Sequence, residues 1–599
     1  MKFQNQFYRV FASYFIIVTI LVGSFLTTAQ DLPPNEDLSL GASVFVFRNS
    51  GRTARKKFIS SVKTKRSKAQ RVVAVKNIRK QYDNLASVTT RRKRVKTVVP
   101  ETITKTTTTA VTRKTPKEAS QELTGAGLFY YNKNEIYKSI DAYREAIELD
   151  AKNADAKLGL SDALATQGGT LLEVDKTQEA RGLFDEAIKL NDKNSVAYSG
   201  LGEIYDAGND NDKAITNYEK ALALDSDLTE LYAPLGILYY GKNEIAKADD
   251  YLTKALTANN NDALTQYFLG LTRYKQNRYE DARIALTESI KLDAKMPEAR
   301  VSLGEALAKL DREAEAVAEF KEAARLKPDY ADAWFNLGAI YYEQGKYEDA
   351  VAAYRETTRL KNDSGEAYAN LADAYRQMNR CGEANGAYSI AAAFIKNDAE
   401  LYSNWGFCLG KENKWDNAVT RLNEAIVLSA DHIDYTNLGW AYYNSARLDM
   451  KSNLKTEAQT KLQQAKTALQ KAVGMNKNFA PANLNLGITL NDLGEYQAAV
   501  EVLKRANESR NNWLFAINEL GIAYRKTNDL ENAVKQFERA VDLSPKYAIG
   551  YFNLGEANLR SGNVKKAKKA LEKLKKLDRN MANALEIIIL RANKKVKMS

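Results

Sequence analysis

Reactive side chains are scarce in this chain of 599 residues. It has one histidine, His432, and two cysteines, Cys381 and Cys408. One His and two Cys are too few for a transition-metal site made by protein ligands alone, and two Cys are too few for a disulfide framework. We therefore expect no metal and no cofactor. The two cysteines favour buried thiols, although an exported chain could pair them.

Residues that break helices are also few, because the chain has only 9 prolines and 31 glycines. Hydrophobic residues make up 44% of it, which is enough for a large buried core. Alanine, leucine and charged residues recur with a helical period, which predicts an all-α fold. Low-complexity disorder over the whole chain is excluded by the same composition.

The formal net charge of +13 is unevenly distributed. Residues 48–119 contain 22 Lys or Arg and 3 Asp or Glu, which gives +19. The last segment, residues 565–599, carries 12 basic and 3 acidic residues, or +9. Residues 1–47 carry −1, so residues 120–564 carry 13 − 19 − 9 + 1 = −14. An acidic body lies between two basic segments.

Residues 1–29 resemble a targeting segment. Lys2 and Arg9 precede an apolar run at 10–26, and Thr27 and Ala29 have the spacing that signal peptidase requires. This predicts a secretory signal cleaved after Ala29. The run is also close to the minimum length of a spanning helix, so an uncleaved membrane anchor is the alternative. In both cases we expect an exported protein, in the periplasm or cell envelope or outside the cell.

Residues 30–119 form a basic linker rich in Ser and Thr, with runs such as TTRRKRVK. High charge with little to bury predicts a mostly disordered segment. It acts either as a flexible spacer or as a tether to an acidic polymer or anionic membrane surface. Phe58 and Tyr82 are its only aromatic residues, which disfavours binding to single-stranded nucleic acid.

The rest of the chain repeats with a period of 34 residues. Gly338 is the reference residue of the clearest unit, in which Ala350, Tyr354 and Thr357 follow 12, 16 and 19 residues later. Nine of the twelve intervals between equivalent small residues are 34 residues, and the exceptions are 41, 33 and 48. The small residues are Gly127, Ser161, Gly202, Gly236, Gly270, Gly304, Gly338, Ala372, Gly406, Gly439, Gly487, Gly521 and Gly555.

Each unit predicts two helices joined by a short turn. Small residues let the two backbones approach closely, and the large residue fills the space beside them. Ordering 34 residues costs about 50 kcal/mol, at about 1.5 kcal/mol per residue. Half a dozen buried side chains at about 1.5–3 kcal/mol each do not offset that cost. A single unit is therefore unstable, and neighbouring units must stack.

The stretch WFNLGAIYYEQGKYEDAVAAYRETTRL, from Trp334, resembles the tetratricopeptide repeat family. It carries W-x2-L-G-x2-Y, then Ala350 and Tyr354, and Pro328 supplies the proline that ends the preceding unit. The resemblance implies an all-α, right-handed superhelical solenoid of about thirteen repeats over residues 120–581. Its first helices would line a concave groove. Residues 582–599 are expected to form a capping helix and basic tail.

Two insertions interrupt the period, GGTLLEVD (168–175) and ARLDMKSNLKTEAQ (446–459). We expect both to lengthen the turn within a unit. Ser161 and Ala372 depart from glycine in the small column. Cys381 is expected in the turn of its unit, and Cys408 in a first helix.

The predicted ligand of the groove is an extended peptide. An Asn amide both donates and accepts hydrogen bonds, so it can pair with any peptide group. The alternative is a helix residue left in water. Phe335, Tyr342, Trp440, Tyr443 and Phe552 share the same face. The recurring asparagines, two residues before the small column, are Asn336, Asn370, Asn404, Asn437, Asn485 and Asn553.

Some relatives grip a peptide's C-terminal carboxylate with Lys and Asn on neighbouring first helices. The equivalent positions here do not carry that set, which disfavours this kind of adaptor. They are Ala369, Asp373, Ser403, Phe407, Thr436 and Trp440.

Three classes of function remain. The sequence favours a non-enzymatic scaffold for proteins or peptides. A polyanion- or membrane-surface-binding protein acting through residues 48–119 is the alternative, with nucleic acid disfavoured as the ligand. A repeat-bearing enzyme, such as a glycosyltransferase accessory, is the weakest, because the repeats leave no room for a second domain of a few hundred residues.

Overall fold

The computed structural model describes residues 115–598, and the regular structure in that range is helical. Twenty-seven α-helices and one short 3-10 helix follow one another there, which confirms the predicted all-α repeat fold. The predicted signal or anchor at 1–29 and the linker up to residue 114 lie outside the described residues.

Helices alternate as the first and second members of thirteen hairpins, followed by one last helix. Two compact units divide between Ile340 and Tyr341, within α13, and each is described by itself. The helices up to the division are α1 (Pro116–Asn132), α2 (Ile136–Leu149), α3 (Ala154–Glu173), α4 (Thr177–Leu190), α5 (Ser195–Ala207), α6 (Asn211–Leu224), the 3-10 helix (Thr229–Leu231), α7 (Tyr232–Gly241), α8 (Ile245–Ala258), α9 (Ala263–Lys275), α10 (Tyr279–Leu292), α11 (Pro297–Lys309), α12 (Glu313–Leu326) and α13 (Ala331–Glu343).

The C-terminal unit continues the same alternation and ends in the predicted terminal helix, α27, which packs on α25 and α26. Its helices are α14 (Tyr347–Leu360), α15 (Gly365–Gln377), α16 (Cys381–Phe394), α17 (Ala399–Lys411), α18 (Trp415–Leu428), α19 (His432–Lys451), α20 (Lys455–Met475), α21 (Ala480–Leu493), α22 (Tyr496–Ser509), α23 (Leu514–Lys526), α24 (Leu530–Leu543), α25 (Ala548–Arg560), α26 (Val564–Lys575) and α27 (Arg579–Met598).

The glycine column sets the spacing between the two helices of a hairpin. A Cβ added at Gly304 would lie 2.6 Å from the Phe320 ring, and one added at Gly202 would lie 2.5 Å from Tyr218. Phe320 is fully buried and Tyr218 is nearly so. A methyl group has no room there, because real Cβ contacts are longer than about 3 Å. Glycine therefore allows the large side chain of the second helix to pack directly on the first.

We expect Gly304→Ala to lower the free energy of unfolding by about 1–3 kcal/mol, because overpacking forces Phe320 or a backbone to move. Gly182→Ala is the matched control, since a Cβ at that exposed helical glycine meets nothing within 4 Å. The control should gain up to about 1 kcal/mol, the usual advantage of Ala over Gly in a helix. Urea unfolding of both variants measures the difference, and equal shifts would contradict the packing argument.

Serine stands in place of the usual Gly or Ala at Ser161 in the small column and at Ser139, the position equivalent to Ala350, and at both positions its hydroxyl donates a hydrogen bond. Ser161 Oγ donates to the Ala187 carbonyl at 2.8 Å, and Ser139 Oγ donates to the Gly127 carbonyl at 2.8 Å. Both serines are buried. A hydroxyl between two close helices is tolerated because it bonds a backbone carbonyl.

Both insertions lengthen helices, so the prediction that they lengthen turns was wrong. α3 and α19 each have 20 residues, and α20 has 21, whereas α13 has 13 and α14 has 14. Each extension is therefore seven residues. Seven residues are close to two turns at 3.6 residues per turn, so the buried face of the helix keeps its direction.

The turn within each hairpin contains one residue with positive φ, which lies seven positions after the small-column residue in eleven hairpins and fourteen positions after it in the two whose first helix is extended, at Asp175 and Asn453. Gly345, Gly494 and Gly562 occupy three of these turns, and Asn or Asp occupies the others. Asn and Asp tolerate the left-handed conformation better than other residues with a side chain. This column is visible in the sequence, and it explains why each turn is short. The Asn and Asp members are Asn134, Asp175, Asn209, Asn243, Asn277, Asp311, Asn379, Asn413, Asn453 and Asn528.

Candidate peptide-binding face

First helices of successive repeats contact one another within each unit, for example α3 with α5 and α21 with α23. Four positions of each first helix share one face. They lie three and two residues before the small-column residue, and one and four residues after it. We call these positions the first-helix face. The eleven predicted peptide-binding residues all lie on it.

Most of the predicted residues are more deeply placed than a groove lining would suggest. The six asparagines have exposed fractions between 0% and 5%, so the alternative in which they stay in water is wrong. Their part in peptide binding stays a prediction. Phe335, Tyr443 and Phe552 are buried, whereas Tyr342 and Trp440 are half-buried. The six asparagines are Asn336, Asn370, Asn404, Asn437, Asn485 and Asn553.

An asparagine-to-carboxylate hydrogen bond joins successive first helices. Asn336 Nδ2 donates to Glu305 Oε1 at 3.3 Å in the N-terminal unit. In the C-terminal unit, Asn404 Nδ2 donates to Asp373 Oδ1 at 3.3 Å. Donor and acceptor are 31 residues apart in both pairs. The amides therefore connect one repeat to the next.

The opposite atom of these amides is left without a partner. Asn336 Oδ1 and Asn404 Oδ1 are buried and accept no hydrogen bond, and Asn370 Nδ2 donates none. A buried polar atom without a partner costs about 1–3 kcal/mol. Such atoms are rare in native structures and are typical of places where a ligand or water completes the hydrogen bonding.

Glu305, on α11, is the most deeply buried carboxyl group of the N-terminal face, with 2% of its surface exposed. Burial raises its pKa to about 8, although the hydrogen bond from Asn336 opposes the shift. The pKa values of Tyr240 and Tyr274 are raised chiefly by burial and then by the charge of Glu305. These two tyrosines therefore lie within electrostatic reach of the carboxyl group.

We expect the stability of the N-terminal unit to fall as the pH rises from about 4.5, the ordinary pKa of Glu, to about 8. Over that interval the folded state holds a proton that the unfolded state has released, so raising the pH favours unfolding. Glu305→Gln keeps the oxygen that accepts from Asn336 and removes the titration. Urea midpoints between pH 5 and pH 9 should fall more steeply for the wild type than for this variant.

Glu148→Gln is the control, because Glu148 is exposed on a second helix. It should follow the wild type at every pH. If the Glu305→Gln and wild-type midpoints stayed parallel, the buried carboxyl group would not control stability.

Asp373, in the C-terminal unit, receives several polar contacts. The Tyr388 hydroxyl donates to Asp373 Oδ1 at 2.5 Å, in addition to the bond from Asn404. Arg376 Nε lies 3.5 Å from the same oxygen, and its side chain is nearly buried. The acidic side chain of Asp373 disfavours a ligand carboxylate at this position.

A second polar cluster lies further along the C-terminal unit. Asn491 Nδ2 donates to Glu519 Oε2 at 3.1 Å, and burial raises the pKa of Glu519. Asn553 Nδ2 donates to Asn518 Oδ1 at 3.0 Å. Arg525, four residues after Gly521, forms an ion pair with Glu556 of the next first helix.

Sequence reasoning selected none of the carboxylates that directly follow the small column as a functional residue, although their column is regular. The position directly after the small-column residue is acidic in five of the thirteen repeats and never basic. A single charged residue on a helix is usually solvated, so the column carries a signal only after the repeats are aligned. Its acidic members are Asp162, Glu203, Glu305, Asp373 and Glu556.

The two cysteines meet in the C-terminal unit as free, buried thiols. Their Sγ atoms are 2.7 Å apart. Cys408 lies in a first helix as expected, whereas Cys381 is the first residue of α16 and not part of the turn. It sits at a helix start because Asn379, with positive φ, ends the turn before it.

Residues 115–598 contain no cluster of three or more His, Cys, Asp or Glu side chains arranged to hold a metal ion. None of the helices described there combines the length and apolar character needed to cross a membrane. The first-helix face instead offers amide groups, carboxylates and aromatic rings, which bind through hydrogen bonds and charge.

Sequence models described as TPR repeat match residues 202–243, 314–345, 338–379 and 521–562. Others described as tetratricopeptide repeat match residues 123–153, 234–297, 457–512 and 548–581. Together they cover about half of the chain. The chain belongs to the tetratricopeptide repeat family. The thirteen hairpins are therefore TPR units, and the TPR array accounts for nearly all of the described residues.

Solved structures similar to this TPR chain include YrrB, titled a TPR protein with an unusual peptide-binding site. It is 28% identical, with 31% of this chain and 95% of YrrB covered and a TM-score of 0.29. MamA is 28% identical over 29% of this chain and 94% of its own, with a TM-score of 0.27. A chain of the Cut9–Hcn1 complex is 14% identical, with 79% of this chain and 96% of the other chain covered and a TM-score of 0.33. Curated proteins gave no significant match.

Proposed function

We propose that this TPR array is a non-enzymatic scaffold that binds extended segments of other proteins along its first-helix face. The supporting observation is the row of buried amides with one atom bonded to the protein and the other atom unpaired. Asn404 in the C-terminal unit and Asn336 in the N-terminal unit have this arrangement, and Asn370 Nδ2 is also buried without a hydrogen bond.

The chemistry of the amides suits a peptide backbone. A peptide group presents one N–H donor and one carbonyl acceptor. Asn336 Oδ1 and Asn404 Oδ1 can accept from a backbone N–H, and Asn370 Nδ2 can donate to a backbone carbonyl. Recognition through the backbone is independent of the side chains of the ligand, so charged or aromatic neighbours on the face would provide the selectivity.

The experiment is a screen of a peptide array with the full chain, followed by affinity measurements on the best peptides by fluorescence anisotropy. We expect Asn336→Ala, Asn370→Ala and Asn404→Ala each to weaken at least one class of peptide by about 3- to 10-fold, the value of one hydrogen bond. Asn423→Ala and Asn217→Ala are matched controls, since Asn423 is exposed, Asn217 is half-buried on a second helix, and both amides donate to a carbonyl of their own helix.

Circular dichroism and urea midpoints establish that each variant is folded. If folded variants bound every peptide as the wild type does, the amides would have no role. If binding were lost only on deletion of residues 30–118, the alternative function, binding through the basic linker, would replace the proposal. The charge of +19 in residues 48–119 is the observation that supports this alternative.

We also propose that the scaffold is exported to the cell envelope or beyond. Lys2, Arg9 and the apolar run at 10–26 support this proposal, together with Ala29 at the expected cleavage point. Amino-terminal sequencing of the protein from its native source should read from Gln30. An intact Met1 in a membrane fraction would indicate the anchor, and an intact Met1 in a soluble cytosolic fraction would overturn export.

A further inference from the structure

We propose that the chain's own basic segment, residues 48–114, binds the first-helix face of the N-terminal unit, with a Lys or Arg side chain held by Glu305 and Asn336. This inference rests on the proposed function, because it names a first ligand of the same face. It makes the scaffold self-occupied until a partner competes.

Charge complementarity selects the N-terminal unit. Between residues 115 and 340, the first-helix face carries four acidic side chains and no Lys or Arg, which gives a formal charge of −4. In the C-terminal unit, three carboxylates share the face with Arg376 and Arg525, which leaves a net charge of −1. Residues 48–114 contain 21 basic and 2 acidic side chains. The four N-terminal carboxylates are Asp162, Glu203, Asp206 and Glu305.

Glu305 and Asn336 supply a specific receptor for a cationic side chain. Glu305 forms no ion pair with any described residue, and its contact with Asn336 uses one carboxylate oxygen. Asn336 Oδ1 is fully buried and accepts nothing. An ammonium group has three donors and a guanidinium has five, so either satisfies both acceptors together. The ring of Tyr274, which lies within electrostatic reach of Glu305, suits a cation as well, whereas Lys275 already lies over the ring of Tyr240 at 4.3 Å.

Binding a cation here is coupled to proton release. The buried carboxyl group of Glu305 holds its proton at neutral pH, because its pKa lies near 8. A bound Lys or Arg stabilises the carboxylate and lowers that pKa. The segment should therefore bind more tightly as the pH rises towards 8. The charge of Asp332 also raises the pKa of Glu305, and the charge of Lys309 lowers it.

The segment is long enough to reach the site. It joins the array directly before α1, and Glu305 lies in the sixth repeat. Five repeats at about 10 Å, the spacing of packed helices, span about 50 Å. About 16 extended residues cover that distance, whereas residues 48–114 number 67. A tethered ligand has an effective concentration in the millimolar range, so weak binding is sufficient for occupancy.

Photo-crosslinking in the full chain tests the proposal. Ala308, four residues after Gly304 and half-buried on the face, is replaced with p-benzoylphenylalanine. The control is the same replacement at Ala318, which is exposed on the second helix of that repeat. After irradiation, we expect mass spectrometry to find crosslinks from position 308, but not from position 318, to residues 48–114. Glu305→Gln should reduce their yield at pH 8 at least 3-fold, and 1 M NaCl should do the same.

Mixing chains of normal and heavy isotopic composition separates the possible sources of the ligand. Crosslinks within one chain support the proposal. Crosslinks between light and heavy chains, or none to residues 48–114, overturn it. The peptide-array measurement then distinguishes the two ideas: continued sensitivity to Asn370→Ala and Asn404→Ala leaves the scaffold function in place when self-binding fails. If peptide binding is insensitive to these two substitutions while the crosslinks remain, the scaffold function is overturned and self-binding is not.

Discussion

Contact between a small residue on one helix, usually glycine, and a large side chain on the next helix determines the spacing of the two helices in a hairpin. Gly304 and Phe320 show the arrangement: the ring lies where a methyl group would otherwise be. The first helix packs on the second helix with one face, and another face contacts the first helix of the following repeat. Packing within a hairpin thus creates the surface on which the asparagines and carboxylates meet.

That surface is polar and buried, which is an unusual combination. Apolar residues would join successive first helices with less desolvation cost, so the amide and carboxyl groups are not explained by stability alone. Their half-satisfied hydrogen bonds are instead consistent with a face that is completed by a bound chain. The acidic residues favour a basic chain in the N-terminal unit, and the nearly balanced charges of the C-terminal unit leave room for a different ligand.

Sequence periodicity was sufficient for the number, order and type of the helices, because each repeat reports its own small and large positions. It failed where the answer depends on contacts between repeats. Asn336 was identified, but its bond to Glu305 joins residues 31 positions apart, and burial of the whole asparagine column follows only from stacking. The insertions were misassigned to turns, since added residues have no partner in the repeat pattern to align with.

The seven-residue extensions of α3, α19 and α20 show how this architecture can change length. An insertion of two helical turns returns every buried side chain to its original direction, whereas three or five added residues would rotate the core face towards solvent. Length variation within a packed helix is thereby restricted to discrete steps. A helix can therefore be extended by two turns without changing which of its residues face the neighbouring repeats.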